Sequence, residues 1–237
     1  MQLFYADTIN DTLSNFVFAK EESRHIVRVL RKKTGDILFV TDGKGQLFEL
    51  QITIPNDKKC VAEIKSVKNQ TFTRDYKIHV AIAPTKSNDR LEWFLEKATE
   101  LGVDEITPII CQQSERKVIK KPRLEKIIIA AMKQSLQFTL PKLNDAISFA
   151  EFIKKPYDDI QKYIAHCEDD NNKQTLKNLV KPQEDVLILI GPEGDFSPKE
   201  IQQAFGVDYK PISLGNTRLR TETAGIQAVA MVHFVNE

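Results

Sequence analysis

Between Val186 and Val235 the chain reads VLILIGPEGDFSPKEIQQAFGVDYKPISLGNTRLRTETAGIQAVAMVHFV, and one design occurs in it twice. An apolar strand runs into a loop that opens on glycine, and a helix follows. The first copy is Val186 to Ile190, the loop Gly191-Pro192-Glu193-Gly194-Asp195-Phe196, and a helix from Ser197. The second is Pro211 to Leu214, the loop Gly215-Asn216-Thr217-Arg218-Leu219-Arg220, and a helix from about Thr221. Ser197 can cap its helix, Pro198 suits the first helical position, and Glu200 stands three residues on, which makes a capping box. A strand apolar at every position needs cover on both faces, as in a parallel sheet. Two such units deliver their loops to one sheet edge, where open α/β sheets place ligands. Neither GxGxxG nor GxxxxGK[ST] occurs, so the ligand expected there is held by backbone groups and apolar walls, not by a phosphate cradle.

The rest of the chain divides by pattern. From Met1 to about Gln70 one short helix is expected, at Glu22 to Lys32, with Arg24, Arg28, Arg31 and Lys32 on one face, His25 at their margin, and Ile26, Val29 and Leu30 opposite. Strands at Asp36 to Thr41 and Gln46 to Ile54 flank Asp42-Gly43-Lys44-Gly45, a hairpin signal, and Cys60 to Val67 makes another strand. Such short strands suggest a small β-barrel. The polar stretch Asn69 to Asp75 reads as a linker.

From Tyr76 strands and helices alternate, which argues for a parallel sheet with helices on its faces. Strands are expected at Tyr76 to Ala83, Glu105 to Cys111 and Lys162 to Cys167. Helices are expected at Asp89 to Leu101, capped by Asn88 or Asp89 and stopped at Gly102, at Pro122 to Leu136, and at Ser148 to Lys155 with a second capping box. The turn after the first strand, Pro84 to Asn88, has no glycine, so a nucleoside-type cofactor would bind at the C-terminal loops instead.

Composition narrows the class. A chain of 237 residues allows one large or two small domains with real cores. A formal net charge of +1 supplies no strong overall field for nucleic acid and leaves local basic patches as the means of contact. Cys60, Cys111 and Cys167 lie far apart without a CxxC pair, which points to a reducing compartment and away from a zinc ribbon. MQLFYADTIN is not patterned as a signal peptide, and no apolar run reaches membrane-spanning length, so a cytoplasmic location off the membrane is expected.

Gly191-Pro192-Glu193-Gly194 with Phe196-Ser197 and Glu200-Ile201, then Leu214-Gly215 and Leu219-Arg220-Thr221-Glu222-Thr223-Ala224, resembles the RsmE family, the 16S ribosomal RNA uridine N3-methyltransferases of the SPOUT superfamily. Lys97 to Val103, Glu115-Arg116, Gln134-Ser135, Val29-Leu30-Arg31 and Gly35-Asp36 extend the likeness over nearly the whole chain. Asp195, Thr217 and Leu136-Gln137 depart from the family's usual residues.

The resemblance implies an α/β chain: a PUA-like β-barrel at 1–70 that binds RNA, then a SPOUT domain at 71–237 with a C-terminal trefoil knot. It further implies S-adenosylmethionine as methyl donor, no metal, 16S rRNA in the small ribosomal subunit as substrate, and a homodimer. The donor site it implies is Leu189, Ile190, Gly191, Pro192, Glu193, Gly194, Leu214, Gly215, Leu219 and Arg220. Uridine N3 carries a proton that must leave before the nitrogen attacks. Arg220 is the candidate for stabilising the resulting anion and Glu222 the candidate base, although a carboxylate opening a helix also serves the helix dipole. Candidate RNA contacts are Arg24, His25, Arg28, Arg31, Lys86, Arg90 and Arg116. His79, in an apolar strand, is expected as a satisfied core residue, and Trp93 in core or dimer packing. Two other functions fit the same residues: a SPOUT methyltransferase for another RNA, and a non-catalytic RNA-binding assembly protein.

Overall fold

A computed structural model describes residues 1–69, 74–168 and 173–237. The chain separates into two compact units, Met1–Thr73 with Met132–Leu140, and Arg74–Ala131 with Pro141–Glu237. Of the expected linker, residues 70–73 lie outside the described residues.

The first unit holds β1 (Leu3–Tyr5), β2 (Asn15–Val17), α1 (Lys20–Arg24), β3 (Ile37–Thr41), β4 (Gln46–Ile54) and β5 (Val61–Asn69). Its sheet order is β1-β3-β4-β5-β2. β1 and β3 run parallel, and every other neighbouring pair is antiparallel. Alternation along β4 turns Phe48, Leu50 and Ile52 into the core with Phe4, Leu38, Val40 and Ile26. The hairpin tip is secured by the later segment: Gly45 N donates to Phe138 O at 2.9 Å and Leu140 N to Gly43 O at 2.8 Å.

The expected helix at Glu22 to Lys32 is corrected. It begins at Lys20, and from His25 to Val29 it is a π-helix. The wider π turn rotates the following residues out of α-helical phase. Val29, expected on the apolar side, is 64% exposed, and Val27 packs on the core with Leu30 instead. Arg31 lies beyond the helix with φ of 54°.

The second unit holds β6 (Ile78–Ile82), α2 (Asn88–Glu100), β7 (Glu105–Ile110), α3 (Lys121–Gln134, its last residues in the first unit), β8 (Lys142–Leu143), β9 (Ile147–Ser148), α4 (Phe149–Phe152), β10 (Gln161–Ala165), β11 (Gln174–Thr175), α5 (Leu176–Leu179), β12 (Val186–Ile190), α6 (Pro198–Phe205), β13 (Lys210–Ser213) and α7 (Thr221–Asn236). The sheet order is β11-β13-β10-β12-β6-β7-β8, with β9 also on β7. All these pairings are parallel. β12 is buried at each of its positions, as its unbroken apolar sequence requires.

Ser197 and Ser148 both form the expected capping boxes. The cap of α2 is Ser87, one residue ahead of the expected Asn88 or Asp89, and Gly102 follows its end with φ of 85°. α7 buries Gly225, Ala228, Val229 and Val232 and leaves Phe234 75% exposed, so its burial is one-sided at the end. Trp93 on α2 is 44% exposed, not in the core. His79 is buried, with Nε2 2.7 Å from Thr107 Oγ1, as a satisfied core residue should be.

Candidate functional site

β10, β12 and β13 are adjacent and parallel, so their C-terminal ends open on the same side of the second unit. There the two glycine-opened loops and the end of β10 enclose a cavity of about 980 Å³. That is the size range of small-molecule sites. Ile190, Ile212, Leu214, Leu219 and Ala224 supply apolar wall, and Arg90, Arg218 and Arg220 supply cations.

Side chains bonded to main chain hold the loops. Glu200 uses one carboxylate oxygen on Ser197 N at 2.8 Å and the other on Gln112 N at 2.8 Å, so the α6 cap also fixes the loop after β7. Glu193 Oε1 accepts from Lys86 N at 2.9 Å, and Arg116 donates to Lys86 O at 2.6 Å and Thr85 O at 3.2 Å. Thr221 Oγ1 donates to Gly191 O at 3.1 Å and so ties the start of α7 to the first loop. Asp195, at φ of 67°, accepts from Cys167 N at 2.6 Å. At Gly191 a Cβ would come within 3.0 Å of the Phe196 ring and 3.2 Å of Phe196 N, a tight contact that a side chain there would relieve only by shifting Phe196 by a few tenths of an ångström.

Of the residues expected at the donor site, Ile190, Gly191, Pro192, Glu193, Leu214, Gly215, Leu219 and Arg220 line this cavity together. Leu189 and Gly194 do not. The alternation of a strand turns Leu189 into the core beside Ala81, Leu187 and Ile201, and Gly194 sits against Gln113. Lining residues outside the expected set include His166, Cys167, Lys173, Asp195, Asn216 and Thr217. The sequence signal for the first two was their place at the end of a strand in a parallel sheet.

Arg220 is the N-cap of α7, exposed on the cavity wall. Glu222 is buried and lies outside the lining. Its Oε1 is 3.7 Å from Arg90 Nε, and its Oε2 has no hydrogen-bond partner. Arg90, expected among the RNA contacts, lines the cavity in front of it. Lys86 pairs with Glu115 at 2.9 Å, and Arg116 is occupied as a brace between loops. In the first unit Arg24 and Arg31 are exposed, Arg28 pairs with Asp57 at 2.7 Å, and His25 stands edge-on to Phe4 with Nε2 3.3 Å from Gln2 Nε2. The pair holds the Asp57 carboxyl below its ordinary range.

Among the described residues no group of three or more His, Cys, Asp or Glu is arranged to hold a metal ion. No helix there is long and apolar enough to cross a membrane. All three cysteines are free, with Cys60 and Cys111 buried and Cys167 exposed.

Comparison with known proteins gives concordant matches. The RNA methyltransferase domain model matches residues 73–233, and the RNA methyltransferase PUA domain model matches residues 18–65. Ribosomal RNA small subunit methyltransferase E of Rickettsia conorii is 30% identical over 94% of this chain and 91% of its own. A probable rRNA-methyltransferase from Porphyromonas gingivalis is 39% identical, with a TM-score of 0.92 over 100% of this chain and 98% of its own. Ribosomal RNA small subunit methyltransferase E from Neisseria gonorrhoeae, solved bound to S-adenosyl methionine, is 28% identical, with a TM-score of 0.86 over 100% and 98% of the two chains. By these matches the chain belongs to the ribosomal RNA small subunit methyltransferase E family of RNA methyltransferases.

Proposed function

We propose that this chain transfers a methyl group from S-adenosylmethionine to N3 of a uridine in 16S rRNA of the small ribosomal subunit. The observation that carries the reading is the meeting of both glycine-opened loops in one cavity, in a chain whose relative is solved with that donor. The cavity suits the molecule. Ile190, Ile212, Leu214 and Leu219 offer apolar surface for an adenine, and Gly191 brings bare backbone to the cavity wall. Ile190, Gly191, Pro192, Glu193, Leu214, Gly215, Leu219 and Arg220 would hold it. When bound, it supplies a methyl group on a positively charged sulfur.

The protein's own task is the acceptor. N3 lies on the pairing edge of the base, so the uridine is taken unpaired or flipped. Arg220 places a guanidinium on the cavity wall, where it stabilises negative charge on the uracil oxygens as the N3 proton departs. Arg90 adds a second cation. Glu222 stands behind Arg90, so its part is to orient that guanidinium, and the proton passes to water.

The first unit, matched by the PUA model, would bind RNA through Arg24, His25, Arg28 and Arg31 as a PUA-like β-barrel. The second, through residue 237, would bind the donor and form the homodimer, with Lys86 and Arg116 as further RNA contacts. Trp93 on α2 and Phe234 on α7 are exposed, and α2 and α7 pack on each other, which favours a subunit contact there. The trefoil knot is favoured by the path of the chain end: β13 lies beyond β10, yet α7 returns to pack on β6 and β12. The setting would be the cytoplasm.

The test is methyl transfer from labelled S-adenosylmethionine to small subunits lacking the modification, with free 16S rRNA and tRNA in parallel and the product nucleoside identified by mass spectrometry. 3-Methyluridine from the small subunit is the expected result. Label only in tRNA would move the substrate to another RNA. RNA binding without donor binding would favour a non-catalytic assembly role.

A further inference from the structure

One side chain, that of Asp195, joins two walls of the cavity. Asp195 sits at φ of 67°, a left-handed conformation that costs a non-glycine residue energy. Both of its carboxylate oxygens are used on main-chain N–H groups. Oδ1 accepts from Phe196 N at 2.8 Å, within its own loop after β12. Oδ2 accepts from Cys167 N at 2.6 Å, on the segment that leaves β10. Asp195 and Cys167 both line the cavity. The same segment is also held by Lys173, whose Nζ donates to His166 O at 2.8 Å and to Glu168 O.

We infer that Asp195 is a positioning residue: its carboxylate latches the segment after β10 to the Gly191–Phe196 loop and sets the spacing of the walls between which the methyl donor binds. The donor part of this inference rests on the proposed function, whereas the latch rests on the two hydrogen bonds alone. Partial desolvation pushes the Cys167 thiol up from its ordinary range, and the charge of Asp195 adds to that push. Cys167 is also exposed while Cys60 and Cys111 are buried, so its thiol reports on the latch directly.

Two variants test it. In Asp195→Gly both acceptors go, while glycine takes the positive φ without strain, so the fold survives. In Asp195→Asn one oxygen remains, and an amide N–H group faces one of the two donors. Cys167 alkylation by iodoacetamide is followed by peptide mass spectrometry without donor, with Cys60 and Cys111 as internal controls. Affinity for S-adenosylmethionine is measured by calorimetry, and KM and kcat by methyl transfer. Asp195→Gly should speed Cys167 alkylation several-fold and weaken donor binding by about tenfold or more, the size expected of a lost charge-assisted hydrogen bond. The loss should fall on donor KM more than on kcat, with Asp195→Asn between wild type and glycine. Unchanged alkylation and donor affinity in Asp195→Gly would overturn the inference, as would a fall in kcat with donor affinity unchanged. Faster alkylation in the variants of a protein that binds no S-adenosylmethionine would uphold the latch and remove the donor assignment.

Discussion

Replacing Gly225 by alanine pits two effects of opposite sign against each other. In an open helix the change stabilises by about 1 kcal/mol, because alanine restricts the unfolded chain and favours the helix. At Gly225 the new Cβ would lie 2.5 Å from Phe94 Cε2, 2.8 Å from Phe94 Cδ2 and 3.2 Å from Ile82 Cδ1. Ordinary carbon contacts are about 3.5–4.0 Å, so α7 or the Phe94 ring must move by roughly 1 Å. Phe94 is fully buried on α2 and has no open space to retreat into. Overpacking of this kind costs roughly 1–3 kcal/mol; with two ring atoms and a methyl involved the upper end applies, leaving a net loss of roughly 1–2 kcal/mol. Urea unfolding should show a lower midpoint at unchanged slope. Adding Phe94→Leu removes the Cε2 contact and leaves at the Cδ2 position a methyl that can turn away, so in that background the alanine should be better tolerated, with a coupling of about 1 kcal/mol in the double-mutant cycle. Because Arg220 and Thr221 stand at the start of α7, a displaced helix should also weaken donor binding. A Gly225→Ala protein more stable than wild type would refute the close helix approach on which this rests.

Three further outcomes are expected. Arg220→Ala should abolish methyl transfer with the circular dichroism spectrum intact, and full activity in it would remove Arg220 from the mechanism. Glu222→Gln keeps the shape of the side chain but removes the counter-charge behind Arg90, so it should lower kcat about tenfold without the loss of the acid-side limb that a missing general base would cause; disappearance of that acid-side limb would restore Glu222 as base. Burial holds His79 and His233 down to about 4, helped at His233 by the Arg74 charge. Both folded values lie below the unfolded one, so the unfolded chain takes up these protons first, and stability should fall as pH drops from about 6.5 towards 4. Urea midpoints that stay level between pH 7 and 5 would contradict this.

Much of the site was readable because its signals are local. Glycine at Gly191, the Ser197–Glu200 box and the unbroken apolar run of β12 act over a few residues, and each appears where the pattern put it. The short elements β8, β9, β11 and α5 had no such signal; two-residue strands depend on the neighbour that pairs with them. The apolar side of the first unit's helix was misread at Val29 because a π turn follows from packing, not from residue period.

The sequence by itself determined the strand-loop-helix pairs, the parallel sheet they require and the sheet edge where a ligand would bind, since all three follow from caps, glycines and apolar runs. Only the tertiary structure decided that Leu189 faces the core while Ile190 faces the cavity, and that Arg90 stands in front of a buried Glu222. It also decided that Phe138 and Leu140 secure a hairpin almost a hundred residues earlier. Those relations join residues far apart in the chain, and the free energy that selects among such pairings comes from packing and hydrogen bonds formed only when the fold is complete.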